Sequence, residues 1–474
     1  MSVQPVCDRG MALGVKCGHP GRPRLILTTC ILASSLAFID GSVVNVGLPA
    51  IGRDLHGSAS DLQWVINAYL LPLSALLLLG GALGDRFGRR RVLILGMALF
   101  ALASAGCAAA VRLEWVFAMR GLQGLGAALL LPNSLAILGG AFEGEARGKA
   151  VGLWASASAI AGAVGPVLGG WLIDTVGWRA IFLINLPLAA GAIGLALYAV
   201  PAQHPDRGGA RLDVIGGALA TASLASVTWG LTVASGEKRW SGPALLATAA
   251  GIVLAAAFVW QERRLGDKAM TPLALFGSRR LAGLNLLTLL LYGALAGFLL
   301  LLPYRLIEAS GYSATAAAAS LLPFPVIMGL GAPIVGSVAG KIGARAPLVV
   351  GSVLVAAALA LASIMAPSAP YWTSVLPAVT VMALGMTCAA APLTSAVLSS
   401  VDARHTGSAS GLNSALARAG GLLVIALMGA VLAARGQALM DAFRLAALTG
   451  AGLALAAGLA GLLLIGDDRP TQKA

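Results

Sequence analysis

GALGDRFGRRRVL, residues 81–93, carries Asp85, Arg86, Arg89, Arg90 and Arg91 in a 474-residue chain that is only 11% charged and 58% hydrophobic. Long apolar runs almost free of charge flank it on both sides. A mean hydropathy of +0.88 lies outside the range of water-soluble chains. Uncharged runs of about 20 residues are long enough to cross a hydrocarbon core as helices. They lack the alternation of apolar and polar residues that a membrane β-barrel requires. Backbone groups in lipid must be satisfied within each segment, so the chain reads as an all-α polytopic membrane protein.

Working outward from the charged stretch, fourteen candidate spans emerge, at roughly 25–49, 62–83, 91–111, 114–138, 150–173, 178–200, 212–233, 243–261, 281–302, 316–339, 346–366, 371–398, 407–433 and 445–466. Most connectors are short, so neighbouring helices are expected to run antiparallel. The two longest, 201–211 and 262–280, bracket a helix pair that interrupts an even series of six and six. The expected organisation is a tail at 1–24, a six-helix bundle at 25–200, two extra helices with linkers at 201–266, a second six-helix bundle at 267–466 and a tail at 467–474. With the N-terminus inside, about 22 of the Lys and Arg residues fall on the cytoplasmic side and about eight outside, which orients both termini to the cytoplasm. The net charge of +13 and pI near 10.1 therefore follow from topology, and no nucleic-acid partner is expected. Residues 1–24 lack a small-residue cleavage site and read as a cytoplasmic tail.

In this frame the opening stretch is the cytoplasmic loop between spans 2 and 3, and a fainter copy, GSVAGKIGAR, returns at 336–345. Gly81 falls on Gly336, Asp85 on Gly340, Arg86 on Lys341, Gly88 on Gly343 and Arg90 on Arg345. A matching loop in each half is what an internally duplicated transporter presents. Such a loop anchors topology in any case. Its spacing also allows a conformational latch made of Gly81, Asp85, Arg86, Gly88, Arg89 and Arg90. Gly81 would let one helix end approach its neighbour, and Gly88 would permit a tight turn. Asp85 would sit at a helix N-terminus or pair with an Arg.

Of the 19 acidic residues, only Asp40 lies well inside a span, where charge needs a reason. Glu308, Asp402 and Asp441 all map near loops. Asp40 reads either as a proton site whose affinity changes with its surroundings or as one half of a permanent ion pair. Arg120, near the start of span 4, is its basic counterpart, or else snorkels to the interface. Gly165, Pro166, Gly169 and Gly170 put small residues on one helix face next to a bend, either for close packing alone or to seal the two bundles against leak. Candidate cavity residues are Asn45, Gln63, Asn67, Gln123, Asn133, Trp154, Asn185, Asn285, Tyr292, Asn413 and Arg418. A site with a single buried carboxylate suits neutral or singly cationic cargo. The cysteines at 7, 17, 30, 107 and 388 have no metal-ligand spacing and read as free thiols. His19, His56, His204 and His405 are scattered through tails and loops, and no metal is expected.

Taken together these motifs resemble the major facilitator superfamily, and within it the fourteen-helix drug:proton antiporter branch of the EmrB/QacA type. GALGDRFGRRR is similar to that family's loop 2–3 motif and FIDGSVVNVGLP (38–49) to its first-helix motif. DLQWVINAYLL (61–71) resembles the start of span 2, and RGLQGLGAA (120–128) the span 4 motif. AGAVGPVLGGWL (161–172) is similar to the antiporter motif, WRAIFLINLP (178–187) to the start of span 6, and GSASGLNSALARAGG (407–421) to span 11. Departures are Ser42 for Thr, Gly47 for Ala, Ala161 for Gly and the missing acid at Gly340. The resemblance implies the major facilitator fold, with two pseudo-symmetric six-helix bundles plus two additional helices. It also implies a first-helix acid, here Asp40, tied to coupling or substrate binding, and an inward-facing Arg, here Arg120, that tunes it.

The expected function is proton-driven export of small amphipathic toxic compounds from the cytoplasm of a bacterium, through the plasma membrane, by alternating access. Protons are the coupling ion, with no other cofactor; the partners are the cargo molecule and the lipid bilayer. A dedicated exporter of one natural product keeps the same fold. A membrane sensor would call for a long soluble domain, and an enzyme for a nucleophile and base that the chain does not bring together.

Overall fold

The computed structural model describes residues 23–142, 144–201, 213–237, 239–266, 278–366, 370–401 and 406–466. Residues 1–22 of the expected tail 1–24, the tail 467–474, most of linkers 201–211 and 262–280, Asp402, Cys7, Cys17, His19, His204 and His405 lie outside these residues, and Pro23 and Arg24 already belong to the first helix. Among the described residues the regular structure is helical throughout. The first helices are α1 (Pro23–Asp54), α2 (Ala59–Phe87), α3 (Arg89–Ala108), α4 (Leu113–Ala141), α5 (Gly144–Thr175), α6 (Ala180–Leu183) and α7 (Asn185–Ala199). A central pair follows, α8 (Val214–Glu237) and α9 (Gly242–Leu265). The rest are α10 (Arg279–Glu308), α11 (Ala314–Ala319), α12 (Pro323–Ile342), α13 (Arg345–Ser363), α14 (Val375–Ser399), α15 (Thr406–Ala426), α16 (Gly429–Ala433) and α17 (Gly436–Leu464). Among the described residues eleven segments are long and apolar enough to cross a membrane, or twelve if the two arms of α2, bent by 56°, form one span; 160–175 and Gly411–Ala426 are shorter apolar helices.

The charged stretch fixes where α2 stops and α3 starts. α2 opens on a capping box, in which the Ser58 hydroxyl accepts from the Asp61 N–H at 3.2 Å and the Asp61 carboxylate accepts from the Ser58 N–H at 2.8 Å. It ends at Gly88, whose φ of 95° suits glycine and strains any L side chain. The same turn recurs at Gly343, with φ 88°, between α12 and α13. Two residues past each turn an arginine reaches back to the end of the last span of its own set. Arg90 Nη2 donates to the Leu197 carbonyl at 2.7 Å, and Arg345 Nη2 to the Leu462 carbonyl at 2.6 Å. The loop pair aligned in sequence is thus one device built twice. Gly88→Ala is expected to cost about 1 kcal/mol of stability; a thermal melt of the purified protein that does not move would contradict this.

Packing repeats along with the loop. α1 packs on α5 and α7 as α10 packs on α15 and α17; α3 packs on α4 and α7 as α13 packs on α14 and α17; α2 meets α4 as α12 meets α14. The two sets touch along α5/α11, α2/α15 and α1/α10, while α8 and α9 pack on each other and α8 reaches α2 and α15. Lipid supplies no hydrophobic drive between helices, so close backbone approach carries the packing. A Cβ on Gly96 would meet the Gly126 carbonyl oxygen at 2.9 Å, and one on Gly351 would meet that of Gly385 at 2.6 Å, the same contact in each set. Gly81, expected to be the close-approach residue, is not: a Cβ there has only an ordinary contact with Pro132 at 3.6 Å. Its neighbours do that work, because a Cβ on Gly80 would overlap the Ala128 carbonyl and one on Gly84 the Asn133 side chain.

Candidate functional site

Asp40 is completely buried in α1, 0% exposed, and is held from two other helices, α4 and α7. It forms an ion pair with Arg120 Nη1 of α4. Gln123 Nε2 of α4 donates to it at 3.1 Å and Asn185 Nδ2 of α7 at 3.2 Å. Arg120 and Gln123, three apart on α4, share a face, and Arg120 Nη1 also donates to Gln123 Oε1 at 2.9 Å. Ser104 of α3 accepts from Gln123 at 2.7 Å and from Asn185 at 3.3 Å. Arg120 Nε donates to the Val65 carbonyl at 3.0 Å, and its guanidinium lies 4.3 Å from the Tyr69 ring centroid. The Tyr69 hydroxyl in turn donates to the Ala37 carbonyl at 3.1 Å. Arg120 is 1% exposed and does not snorkel. Two charges withdrawn from water are tolerable only when paired and fully hydrogen-bonded, as here. Ser104 and Tyr69 were not singled out as site residues; Tyr69 stood inside the DLQWVINAYLL motif, while Ser104 carries no local signal.

Beside this network lies a cavity of about 940 Å³. Of the residues expected to line it, Asn45, Trp154 and Tyr292 do so, along with Phe38, Ser42 and Pro166. Trp154 Nε1 donates to Ser34 at 2.9 Å. Others are corrected. Gln63, Asn67, Gln123 and Asn133 are 0% exposed and turn into helix seams. Gln63 donates to the carbonyls of Ile425 and Ala426 at 2.7 and 2.8 Å, and Asn133 to those of Gly80 and Leu129 at 2.9 and 2.7 Å. Asn413 donates to Asn285 at 3.2 Å and to Thr288 at 2.6 Å, which joins α15 to α10. Arg418 is half-buried on α15. Asp40 itself does not border the cavity.

The cavity is closed at one end. Asp174, at the end of α5, accepts from the Ala314 N–H at 3.2 Å, the Thr315 N–H at 2.9 Å and the Thr315 hydroxyl at 2.5 Å. Arg53 pairs with Glu308 at 3.0 Å, and Arg435 reaches the same carboxylate at 3.7 Å. Beneath them Val46, Ala314 and Ala318 form a small apolar plug packed by Val167, Ile173 and Ile307. The antiporter-motif glycines make this fit. A Cβ on Gly165 would meet Ser42 Oγ at 2.8 Å, one on Gly169 would overlap the Val43 side chain, and one on Gly170 would lie 2.7 Å from the Ala314 carbonyl group. Pro166 borders the cavity.

α1 and α5 are each 32 residues long, about 48 Å, so their ends project beyond a hydrocarbon core about 30 Å thick. Asp54 and Asp174 stand on those projecting ends. The Trp178 indole and Arg179 guanidinium, both donating to Asp54, hold its carboxyl below the ordinary range. Burial pushes Asp174 up, but the Thr315 and Ala314 donors outweigh it and hold this carboxyl low as well. A lowered carboxylate stabilises the contacts it makes at every pH above its ordinary pKa of about 3.9, and that contribution is lost only as pH falls through the lower folded value. For Asp174 these are the contacts that close this end, and for Asp54 those to Trp178 and Arg179. Changes in transport between pH 5 and 8 are therefore not expected to arise at these two groups. Asp174→Ala is expected to raise the open-to-closed ratio at this end about tenfold. Labelling of a cysteine at position 46 by an impermeant thiol reagent reads that ratio, and unchanged labelling would contradict the assignment.

At the opposite, Arg-rich end, Asp85 pairs with Arg89 at 2.9 Å, and Arg89 Nη1 donates to the Ala136 carbonyl at 3.0 Å. Asp85 remains 57% exposed and caps no helix N-terminus, because its Arg partner lies one turn away on α3. Arg86 lies over Phe87 at 5.6 Å. These bonds, and that of Arg90, end on α3, α4 or α7.

The sequence model of the Major Facilitator Superfamily matches residues 30–425 and 284–474. The chain is 33% identical over 428 residues to the tetracenomycin C resistance and export protein of Streptomyces glaucescens, covering 90% of this chain and 79% of that one. It is also 33% identical over 416 residues to the multidrug resistance protein Stp of Mycobacterium tuberculosis, covering 86% of this chain and 76% of that one. Among solved structures, the POT family transporter PepTSo superposes with a TM-score of 0.70 at 14% identity, over 93% of this chain and 97% of that one, a likeness of fold.

Proposed function

The chain belongs to the major facilitator superfamily, and from that premise we propose that it is a proton-coupled antiporter, exporting small amphipathic toxic compounds from the bacterial cytoplasm by alternating access. The observation that carries the reading is the Asp40–Arg120 pair, a titratable charge buried in the helix bundle next to the cavity. With Asp40 ionised, Arg120 is locked to α1. A proton on Asp40 cancels the pair, frees Arg120 and Gln123, and gives the network a second arrangement. Asp40 is closed to the cavity in this state, so proton and cargo act on one another through the conformational change rather than by contact.

The repeated packing supports two pseudo-symmetric six-helix bundles, with α8 and α9 as the additional pair. Fourteen spans result when the shorter apolar helices 160–175 and Gly411–Ala426 are counted with the twelve. The Lys/Arg asymmetry favours a cytoplasmic Arg-rich end, with both termini inside. On that orientation the Asp174 end faces out, and the structure is closed to the outside. The loop at Gly81, Asp85, Arg86, Gly88, Arg89 and Arg90 would then latch across the bundles in the opposite state. Protons are the only coupling species proposed, and the partners are the small cargo molecule and the plasma membrane, with no nucleic acid.

A dedicated exporter of one natural product is the second reading. The tetracenomycin C relative, named for a single compound, favours it. Dye efflux from vesicles with an imposed pH gradient, run against a panel of amphiphiles, tests both. Efflux of several unrelated dyes supports the first reading and efflux of one compound class the second; no gradient-dependent flux of any would overturn coupling.

A further inference from the structure

The cavity of about 940 Å³ has room for a drug-sized molecule, and the side chains around it restrict what that molecule is. No Asp, Glu, Lys, Arg or His stands among the described residues that border it. Asp40 and Arg120 do not border it, and their charges cancel. Two polar side chains remain open to it. Asn45 of α1 and Tyr292 of α10, one from each helix set, line the wall. Neither forms a hydrogen bond with a described residue, and the polar atoms of both keep accessible surface. The other polar side chains described on the wall already have partners. The Ser42 hydroxyl donates to the Phe38 and Ile39 carbonyls at 3.0 and 2.9 Å, and that of Ser158 to the Trp154 carbonyl at 2.8 Å. The indole N–H of Trp154 donates to Ser34 at 2.9 Å.

Ring faces supply much of the remaining surface. Phe38, Trp154, Tyr292 and Phe324 come from α1, α5, α10 and α12 and are four of the 22 described lining residues. In a chain that is 5% aromatic, this concentrates aromatic side chains at the wall. Trp154 is fixed there by its bond to Ser34, which is itself bonded to Ser134 at 2.8 Å. A flat apolar body is therefore met by rings from both helix sets. An ionised group on that body would leave water and find no counter-charge on the described wall, which is costly for either sign. A carbonyl or hydroxyl group would find the Asn45 amide, which both donates and accepts, or the Tyr292 hydroxyl.

We propose that the cargo binds and crosses as an uncharged aromatic molecule bearing carbonyl or hydroxyl groups, with Asn45 and Tyr292 as the specificity-determining residues. This rests on the transport reading above. It keeps the neutral half of the preference read from a single buried carboxylate and discards the cationic half, because that carboxylate does not reach the cavity. An uncharged molecule that leaves in exchange for entering protons moves one positive charge inward per proton. The membrane potential then drives export as the pH difference does, whereas one-for-one exchange of a singly cationic cargo would move no net charge.

The test uses the full-length protein in phosphatidylcholine vesicles, with protein-free vesicles as the baseline. Fluorescence titration compares three coumarin dyes of one skeleton that carry a methoxy, a carboxylate or a trimethylammonium group at the same ring position. The wild-type protein is expected to bind the methoxy dye about tenfold or more tightly than either charged one. Gly329→Trp fills the cavity at a position where a Cβ meets nothing within 4 Å, and is expected to weaken that binding about fivefold or more. Asn45→Asp places a carboxylate on the wall and is expected to turn the preference toward the trimethylammonium dye. Equal or tighter binding of a charged dye by the wild type, no binding of the methoxy dye, unchanged binding in Gly329→Trp or an unchanged preference in Asn45→Asp would overturn the proposal. The wild-type comparison alone decides if a variant does not fold. Transport is read with equal pH on both sides and a potential imposed by a potassium gradient and valinomycin. The methoxy dye is uncharged, so a potential moves it only through a coupled ion, and accumulation about fivefold or more above the protein-free level is expected. Accumulation driven by a pH gradient but not by a potential would mean charge-neutral exchange and would overturn the proposal. Accumulation driven by neither, with the dye preference intact, would sink the antiporter reading and leave the uncharged-cargo site standing.

Discussion

Asp40→Asn is expected to abolish accumulation driven by a pH gradient, while exchange of cargo across the vesicle membrane persists. Asn preserves size and can still accept from Gln123 and Asn185, which donate at 3.1 and 3.2 Å, but it cannot take up or give back a proton. It also leaves the Arg120 guanidinium, 1% exposed, without its counter-charge. Breaking a buried pair from one side costs about 3–5 kcal/mol, so a lower melting temperature should accompany the loss. The double variant Asp40→Asn with Arg120→Gln removes both charges, and is expected to recover much of the stability and none of the coupling. Stability and coupling recovering together would assign the pair a purely structural role.

Gly170→Val is expected to disable transport by a different route. A Cβ at position 170 already lies 2.7 Å from the Ala314 carbonyl group and 2.8 Å from Thr315 Cα, and backbone cannot step aside as a side-chain tip can. Two further methyl groups force α5 away from α11, which breaks the Asp174 bonds and opens the plug at Val46. Overpacking of this kind costs about 1–3 kcal/mol, roughly a 5- to 150-fold shift toward the state open at that end. Thiol labelling at position 46 should rise accordingly and gradient-driven export should fall to the protein-free level. Wild-type export in Gly170→Val would mean that the α5/α11 seal is not part of the cycle.

How much of this was legible in the sequence depends on the distance over which each feature is decided. The Gly88 turn and the correspondence of Arg90 with Arg345 were readable because the chain repeats them with the same spacing, whereas the Leu197 and Leu462 carbonyls those arginines reach were not. Asp40 and Arg120 were visible one at a time, since any charge in an apolar run stands out. Their pairing was not, because it depends on the relative rotation of α1 and α4, which no local pattern encodes. Gly81 was preferred over Gly80 and Gly84 by motif position. One residue is about 100° on a helix, enough to turn Gly81 from the closest approach to α4 to an ordinary contact with Pro132. The polar residues assigned to the cavity failed for a general reason. An amide in a span can satisfy a carbonyl across a seam, as Gln63 and Asn133 do, as readily as it can face water. Arg305 gave no signal at all. It sits at a span end in the sequence, yet is 1% exposed and bonded to the Met365 carbonyl at 2.9 Å.

The central claim, that Asp40 carries the proton exchanged for cargo, is tested most directly by running the cycle backwards. Vesicles are given a cargo gradient and no pH gradient, and an internal pH indicator is followed. Wild-type protein should couple cargo flux to a change in internal pH, whereas Asp40→Asn should pass cargo with the indicator flat. An indicator that moves equally in both would place the exchanged proton on some other group.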